Sequence, residues 1–194
     1  LGDVYKRQMS IKSLEEQNTK LARETVEFDA KINEAEREVE RICLNLLLQQ
    51  QPVFAEDLRR VSAALKMITD MERIGDQAED IAEIAATAKK KLLKKSKHIQ
   101  RMAAATIDMV NKSVEAFIKK DLLIAEEVSH NDDVVDALFE EIVNDLVDII
   151  KKDEGTSEVL DMLMVAKYFE RIGDHAVNIA EWVQFSITGE HKRL

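Results

Sequence analysis

Apolar residues recur at helical spacing along almost the whole chain. Val159, Met162, Ala166, Phe169, Gly173, Ala176, Ala180 and Val183 alternate steps of three and four, the pattern of a helix that buries one stripe in a bundle. In the first half Val61, Ala64, Ile68, Met71, Gly75, Ala78, Ala82 and Ala85 do the same. A third run, Asp132, Val135, Phe139, Ile142, Leu146 and Ile149, predicts a helix from Asp133 to about Lys152. Before it the pattern predicts a helix from about Ser96 to Glu127, closed by His130-Asn131-Asp132 as a cap. Lys151-Lys152-Asp153-Glu154-Gly155 ends the next helix, and Thr156 or Ser157 caps the last.

The two long stripes are copies of one unit. Glu72-Arg73-Ile74-Gly75-Asp76 returns as Glu170-Arg171-Ile172-Gly173-Asp174, a spacing of 98, and nine of twelve positions from Glu72 and from Glu170 agree. Such agreement marks an internal duplication. Further forward, Leu14, Asn18, Leu21, Ala22 and Asp29 fall on Phe117, Asp121, Ile124, Ala125 and Asp132 at an offset of 103. The stretch from about Gln100 to Lys112 has no counterpart in the first half, so the first repeat is read as lacking the front of its opening helix. The expected fold is all-α: two tandem three-helix bundles related by an internal repeat, spanning 9–90 and 91–194, with the first of six helices shortened. Residues 1–8 lack the periodicity and are read as a non-native leader. The only proline, Pro52, falls in a longer inter-helix loop of the first repeat.

Composition supports this and narrows the function. With 1 proline and 5 glycines in 194 residues, 45% hydrophobic, the chain is long enough for a sizeable helical core. A formal charge of −10 argues against a nucleic-acid binder, whose footprint is basic. One cysteine, Cys43, leaves no intramolecular disulfide framework and suits a reducing cytoplasm. No apolar run reaches the roughly 18–20 residues of a membrane span. Six lysines between Lys89 and His98 join the repeats and leave the rest of the chain at −16. That run reads as a solvated linker, or as a contact for an anionic membrane face or acidic partner.

The repeated segment carries two penalties. Like charges four apart on a helix repel by a few tenths of a kcal/mol, and a glycine inside a helix costs roughly 0.5–1 kcal/mol against alanine. The glycines lie on the apolar seam, where a missing side chain lets a facing helix approach. The carboxylates lie one position past it, at the rim of a groove. The preceding helix offers a matching pair: Asp132 and Asp136 in the second repeat, Asp29 and Asn33 in the first. Each bundle therefore presents Asp-x-x-x-Asp/Asn beside Glu-x-x-x-Asp, an oxygen-only set suited to magnesium, calcium, manganese or iron rather than structural zinc. Asp80, Asn178, Glu83 and Glu181 extend the stripe as possible further ligands or rim residues. Without a metal, the carboxylates are solvated or paired with Arg73 and Arg171. The Glu-x-x-His spacing of di-iron bundles is missing, as are Ser/His/Asp sets and phosphate loops. His175 alone of the histidines sits near a rim, and Gln77 replaces it in the first repeat. The chain is expected not to be an enzyme.

Paired Glu-Arg-Ile-Gly-Asp motifs, each following an Asp-x-x-x-Asp type pair, resemble the PhoU family of phosphate-signalling proteins. The Gln51-Pro52 turn with Asp57-Leu58-Arg59, and the terminal Ser186-Ile187-Thr188-Gly189-Glu190-His191, are similar too; the resemblance runs from Ser13 to His191. It implies a negative regulator of phosphate uptake and the phosphate-starvation response. Such a protein works at the cytoplasmic face of the membrane between the phosphate ABC transporter ATPase and a sensor histidine kinase. Association as a homodimer is expected, with no nucleic acid and no integral membrane segment. The resemblance also implies divalent or trivalent metal ions (iron, zinc, manganese or magnesium) at Asp29, Asn33, Glu72 and Asp76, and at Asp132, Asp136, Glu170 and Asp174. Asn33 departs from the expected aspartate and weakens the first set. The competing expectations are the cytoplasmic regulatory tail of a sodium–phosphate cotransporter and a carboxylate-metal enzyme.

Overall fold

The computed structural model describes residues 29–49, 54–87, 96–151 and 156–190. They form five helices: α1 Asp29–Gln49, α2 Ala55–Thr87, α3 Lys97–Lys119, α4 Leu122–Lys151 and α5 Thr156–Thr188. The expected leader, the shortened opening helix, the turn at Pro52, the run from Lys89 to Lys95, the Lys152–Gly155 connection and His191 lie outside the described residues. α3, α4 and α5 pack on one another as a three-helix bundle, α1 packs on α2, and α2 lies along α5. Among the described residues no helix is long and apolar enough to cross a membrane.

The break between α3 and α4 falls ten residues earlier than the periodicity suggests. Lys120 adopts the left-handed conformation at φ 54°, and its N–H closes α3 on the Ala116 carbonyl. Asp121 then caps α4: its Oδ1 accepts from the Leu123 N–H at 2.9 Å and the Ile124 N–H at 3.4 Å. His130-Asn131-Asp132 is therefore no cap. It lies inside α4, where His130 Nδ1 bonds the Glu126 carbonyl at 2.8 Å. This correction puts Asp132 and Asp136 in the interior of one continuous helix, with a fixed one-turn spacing. At the other end of the bundle Ser96 caps α3, its Oγ accepting from the Ile99 N–H.

All eight seam positions of α5 are buried, as their spacing requires. A second stripe lies one residue behind them. Val165, Ile172 and Ile179 are fully buried, and their repeat partners Met67, Ile74 and Ile81 are buried on α2. These six join both repeats into one core. Between them, on the same faces, stand polar residues that cross from α2 to α5. His175 Nδ1 donates to Asp70 Oδ1 at 2.8 Å, and Asn178 Nδ2 donates to the same oxygen at 3.2 Å. With side chains only 16% and 11% exposed, His175 and Asp70 form an internal contact, not a surface one. On the other side of this contact Asp80 of α2 faces the Tyr168 hydroxyl, which burial and then Asp80 push up. α2 and α5 thus run antiparallel with apolar and polar layers alternating. Gln77, the counterpart of His175, leaves its Oε1 buried without a hydrogen bond.

Because α2 and α5 share this core, Ile172→Ala is expected to cost about 2–4 kcal/mol. Both repeats should melt in one transition at lower temperature, measured by calorimetry or by circular dichroism at 222 nm. Two separate transitions would mean that the repeats fold independently.

Candidate functional site

The carboxylate pairs of the second repeat converge. α4 presents Asp132 and Asp136, and α5 presents Glu170 and Asp174 across the groove between the two helices. Burial pushes the Asp132 carboxyl up to about 6, and the charges of Asp136, Asp174, Asp133 and Glu170 push the same way. Asp174 is raised as well, first by burial and then by Glu170 and Asp136, against the lowering pull of Lys167 and His175. The glycine of the motif stands at the point of contact. A β-carbon on Gly173 would lie 3.4 Å from Asp132 Oδ1, 3.6 Å from Val135 Cγ1 and 3.7 Å from Met109 Cε. What comes close to α5 there is chiefly the Asp132 carboxylate, and the space would still admit a methyl group.

Among the described residues, Lys167 brings a positive charge to this rim. Lys167 ion-pairs with Glu170 and lies 5.5 Å from the centre of the Phe139 ring. The two motif arginines, Arg73 and Arg171, are exposed, and it is Lys167, not Arg171, that neutralises Glu170. His175 turns away from the rim to Asp70. Asp80 and Asn178 also belong to the α2–α5 contact, Asp80 facing Tyr168 and Asn178 bonded to Asp70, and so do not extend the rim. Glu83 acts on Tyr168 from that same side, and Glu181 is half-buried beyond Asn178.

The first repeat builds its rim differently. Glu36 of α1 is raised by burial and then by Glu72, with Glu40 and Asp76 adding and Arg37 opposing. Glu36, Glu72 and Asp76 therefore face one another, with Asn33 one turn earlier on α1; the side chain of Asp29 lies outside the described residues. Comparison of the repeats misses Glu36 because Phe139 occupies its place. It lies, however, on the helical stripe Asn33, Glu36, Glu40, which a search along one face would have found. Asp70 is missed for a similar reason: its repeat partner is Tyr168.

The oxygen donors at both rims are of the type hard cations take. Among the described residues, no three His, Cys, Asp or Glu side chains are drawn in tightly enough to hold an ion as they stand. The rims are thus acidic and partly desolvated.

Comparison with known proteins agrees with this architecture. A family model described as the PhoU domain matches the chain twice, over residues 7–85 and 99–183. The phosphate-specific transport system accessory protein PhoU homolog of Clostridium acetobutylicum is 34% identical over 203 residues, covering 100% of this chain and 90% of that protein. Phosphate-specific transport system accessory protein PhoU of Edwardsiella tarda is 32% identical, covering 100% and 81%. The crystal structure of PhoU from Pseudomonas aeruginosa superposes with a TM-score of 0.88 at 28% identity, over 97% of this chain and 91% of that one. The phosphate transport system regulatory protein PhoU from Streptococcus pneumoniae shares the fold, with a TM-score of 0.91 at 22% identity over 99% and 91%.

Two outcomes follow from the geometry. An unfolded aspartate titrates near 4, so the raised Asp132 carboxyl makes folding take up a proton between about pH 4 and 6. The stability this contributes is present at low pH and is lost as pH rises through about 6. In chelated protein, Asp132→Asn is expected to raise stability at pH 8 by about 1–2 kcal/mol, after allowance for partial exposure, and to flatten that slope. Urea denaturation at pH 4.5 and 8 measures both; an unchanged slope would refute the assignment. Gly173→Ala is expected to stabilise the chain by about 0.5–1 kcal/mol, since the methyl finds room. Destabilisation in the same measurement would mean that packing, not access to Asp132, requires the glycine.

Proposed function

Because the chain belongs to the PhoU family, we propose that it serves phosphate transport as a regulatory accessory protein. Its relatives bear the names of accessory and regulatory proteins, not of enzymes. In this reading it restrains phosphate uptake and starvation signalling as a helical adaptor between the ATPase of a phosphate ABC transporter and a sensor histidine kinase, at the inner face of the membrane and as a homodimer. An adaptor without reactive groups acts by binding one conformation of its partner better than another.

The observation that carries the proposal is the pair of partly desolvated rims of like-charged side chains at equivalent places in the two repeats. Metal ions bound there would supply positive charge to hold opposing carboxylates together. Asp132, Asp136, Glu170 and Asp174 would hold them in the second repeat, and Glu72, Asp76, Glu36 and Asn33 in the first, with Asp29 as a further donor. Manganese, iron, magnesium and zinc are the candidates. The chain's own contribution is to set the two helices of each rim at a fixed spacing and rotation. That spacing comes from the core, so losing the carboxylates leaves the fold intact.

Replacing both Glu170 and Asp174 with alanine is therefore expected to lower metal content by about half, since one of two rims is lost. It should also weaken co-purification with the transporter ATPase and the kinase. Elemental analysis and pull-down, on protein whose helical circular dichroism matches the parent, measure these. Parent-like metal content together with undiminished partner recovery would sink the proposal.

A further inference from the structure

The α4–α5 groove does not end at the acidic rim. On α4 the stripe Asp132, Asp136, Phe139, Val143, Val147, Ile150 steps by three and four, so one face passes from carboxylates to apolar side chains. Across the groove α5 mirrors it, from Asp174 and Glu170 through Lys167 to Met164 and Leu160. At the apolar end Val147 is 43% exposed, Ile150 55%, Leu160 58% and Met164 42%. Single exposed apolar residues are ordinary, but four on facing stripes of adjoining helices form a patch of the kind that binds a partner. In the other repeat only the α1 side keeps the gradient, because Ser62 and Lys66 of α2 stand where α5 has Leu160 and Met164. There Leu44, at Val147's place, is 55% exposed, and Glu36, Glu72 and Asp76 form the acidic end.

We propose that the α4–α5 groove receives an amphipathic helix of a partner protein, with apolar side chains over Val147 and Leu160 and lysine or arginine over Asp136 and Asp174. The inference rests on the adaptor reading above only for the existence of a partner. Asp136 and Val147 are eleven residues apart on α4, roughly 16 Å at the helical rise, so the occupant carries its basic and apolar anchors about three turns apart. Helices dock in such grooves through anchors at i, i+3 and i+4. Charge selects the occupant's sign: the acidic end holds four carboxylates against Lys167. It also disfavours a second copy, since this chain carries a formal charge of −10.

The test uses synthetic fluorescein-labelled helical peptides, leucine-rich at one end and arginine-rich at the other, titrated with the full chain in chelator and read by anisotropy. The ordered peptide is expected to bind about tenfold or more tighter than a scrambled peptide of equal composition. Leu160→Asp, at an exposed position, should lower its affinity at least about tenfold, and the double variant Glu170→Gln with Asp174→Asn should do likewise. Equal affinity for the scrambled peptide, or indifference to Leu160→Asp, overturns the proposal. So does a homodimer in sedimentation that Val147→Asp dissociates, for then a second copy is the occupant. Added manganese separates the two readings. Competition with the peptide supports cations at the rim, whereas ordered-peptide binding that manganese leaves unchanged removes the cation assignment and keeps the groove.

Discussion

The antiparallel pairing of α2 with α5 sets the terms for everything else in this molecule. Each of these helices must bury two adjacent stripes at once. On α5, Ala166, Gly173 and Ala180 are buried on the seam of its own bundle, while Val165, Ile172 and Ile179 form the stripe shared with the other repeat. Fully burying one such isoleucine contributes about 1.5–3 kcal/mol, so the shared stripe is a large part of what holds the repeats together. Two buried stripes leave only a narrow flank on which charge is tolerable. Glu170 and Asp174 occupy that flank, and so their position is a consequence of the core.

Duplication kept the motif but not its surroundings, and the two rims now differ in which residues carry their charge. Lys167, which neutralises Glu170, has Thr69 as its counterpart, and Thr69 spends its hydroxyl on the Leu65 carbonyl. Phe139, over which Lys167 lies, has Glu36 as its counterpart. Asn33 makes the first rim look the weaker cation site in sequence. In three dimensions the missing ammonium and the added Glu36 carboxylate work in the opposite direction. A neutral amide in place of one carboxylate removes one charge, whereas exchanging a lysine for threonine and a phenylalanine for glutamate adds two. Ala30 in place of Asp133 removes a further one, so the two rims carry similar formal charge.

The fold was legible because a helical stripe depends on local spacing, and the stripes of α2 and α5 are long and uninterrupted. The duplication doubled the signal. The α3–α4 break was misplaced because apolar periodicity runs on through Ala116, Val128 and Val135, with no glycine or proline to interrupt it. The stop is made by Lys120 in a conformation its residue type does not advertise. Asp121 before Leu122-Leu123-Ile124 was the available signal, and its counterpart Asn18 has the same capping chemistry. The contact of Asp70 with His175 and Asn178 was beyond reach. It joins residues more than a hundred positions apart and has no copy of the same residue types across the repeat. The convergence of Asp132 with Glu170 was legible only as a possibility, because which way two helices turn toward each other is decided by the core.

That division also explains what the rims can select. Burial and the charges of Asp136, Asp174, Asp133 and Glu170 raise the proton affinity of Asp132, with Lys167 paired to Glu170 beside them. Among the described residues the rim is therefore left with a surplus of negative charge that a ligand of opposite sign would offset. Coulomb attraction at this range is a few kcal/mol at an effective dielectric near 20 and does not distinguish a metal ion from an ammonium or guanidinium group. Identity has to come from shape: from how tightly Asp132, Asp136, Glu170 and Asp174 can close, and from what lies further along the groove. A bare ion uses only the first of these. A basic helix uses both, because Val147, Ile150, Leu160 and Met164 add apolar area where the carboxylates end. The acidic rim fixes the sign of the ligand, and the apolar strip beside it decides whether that ligand is an atom or a protein.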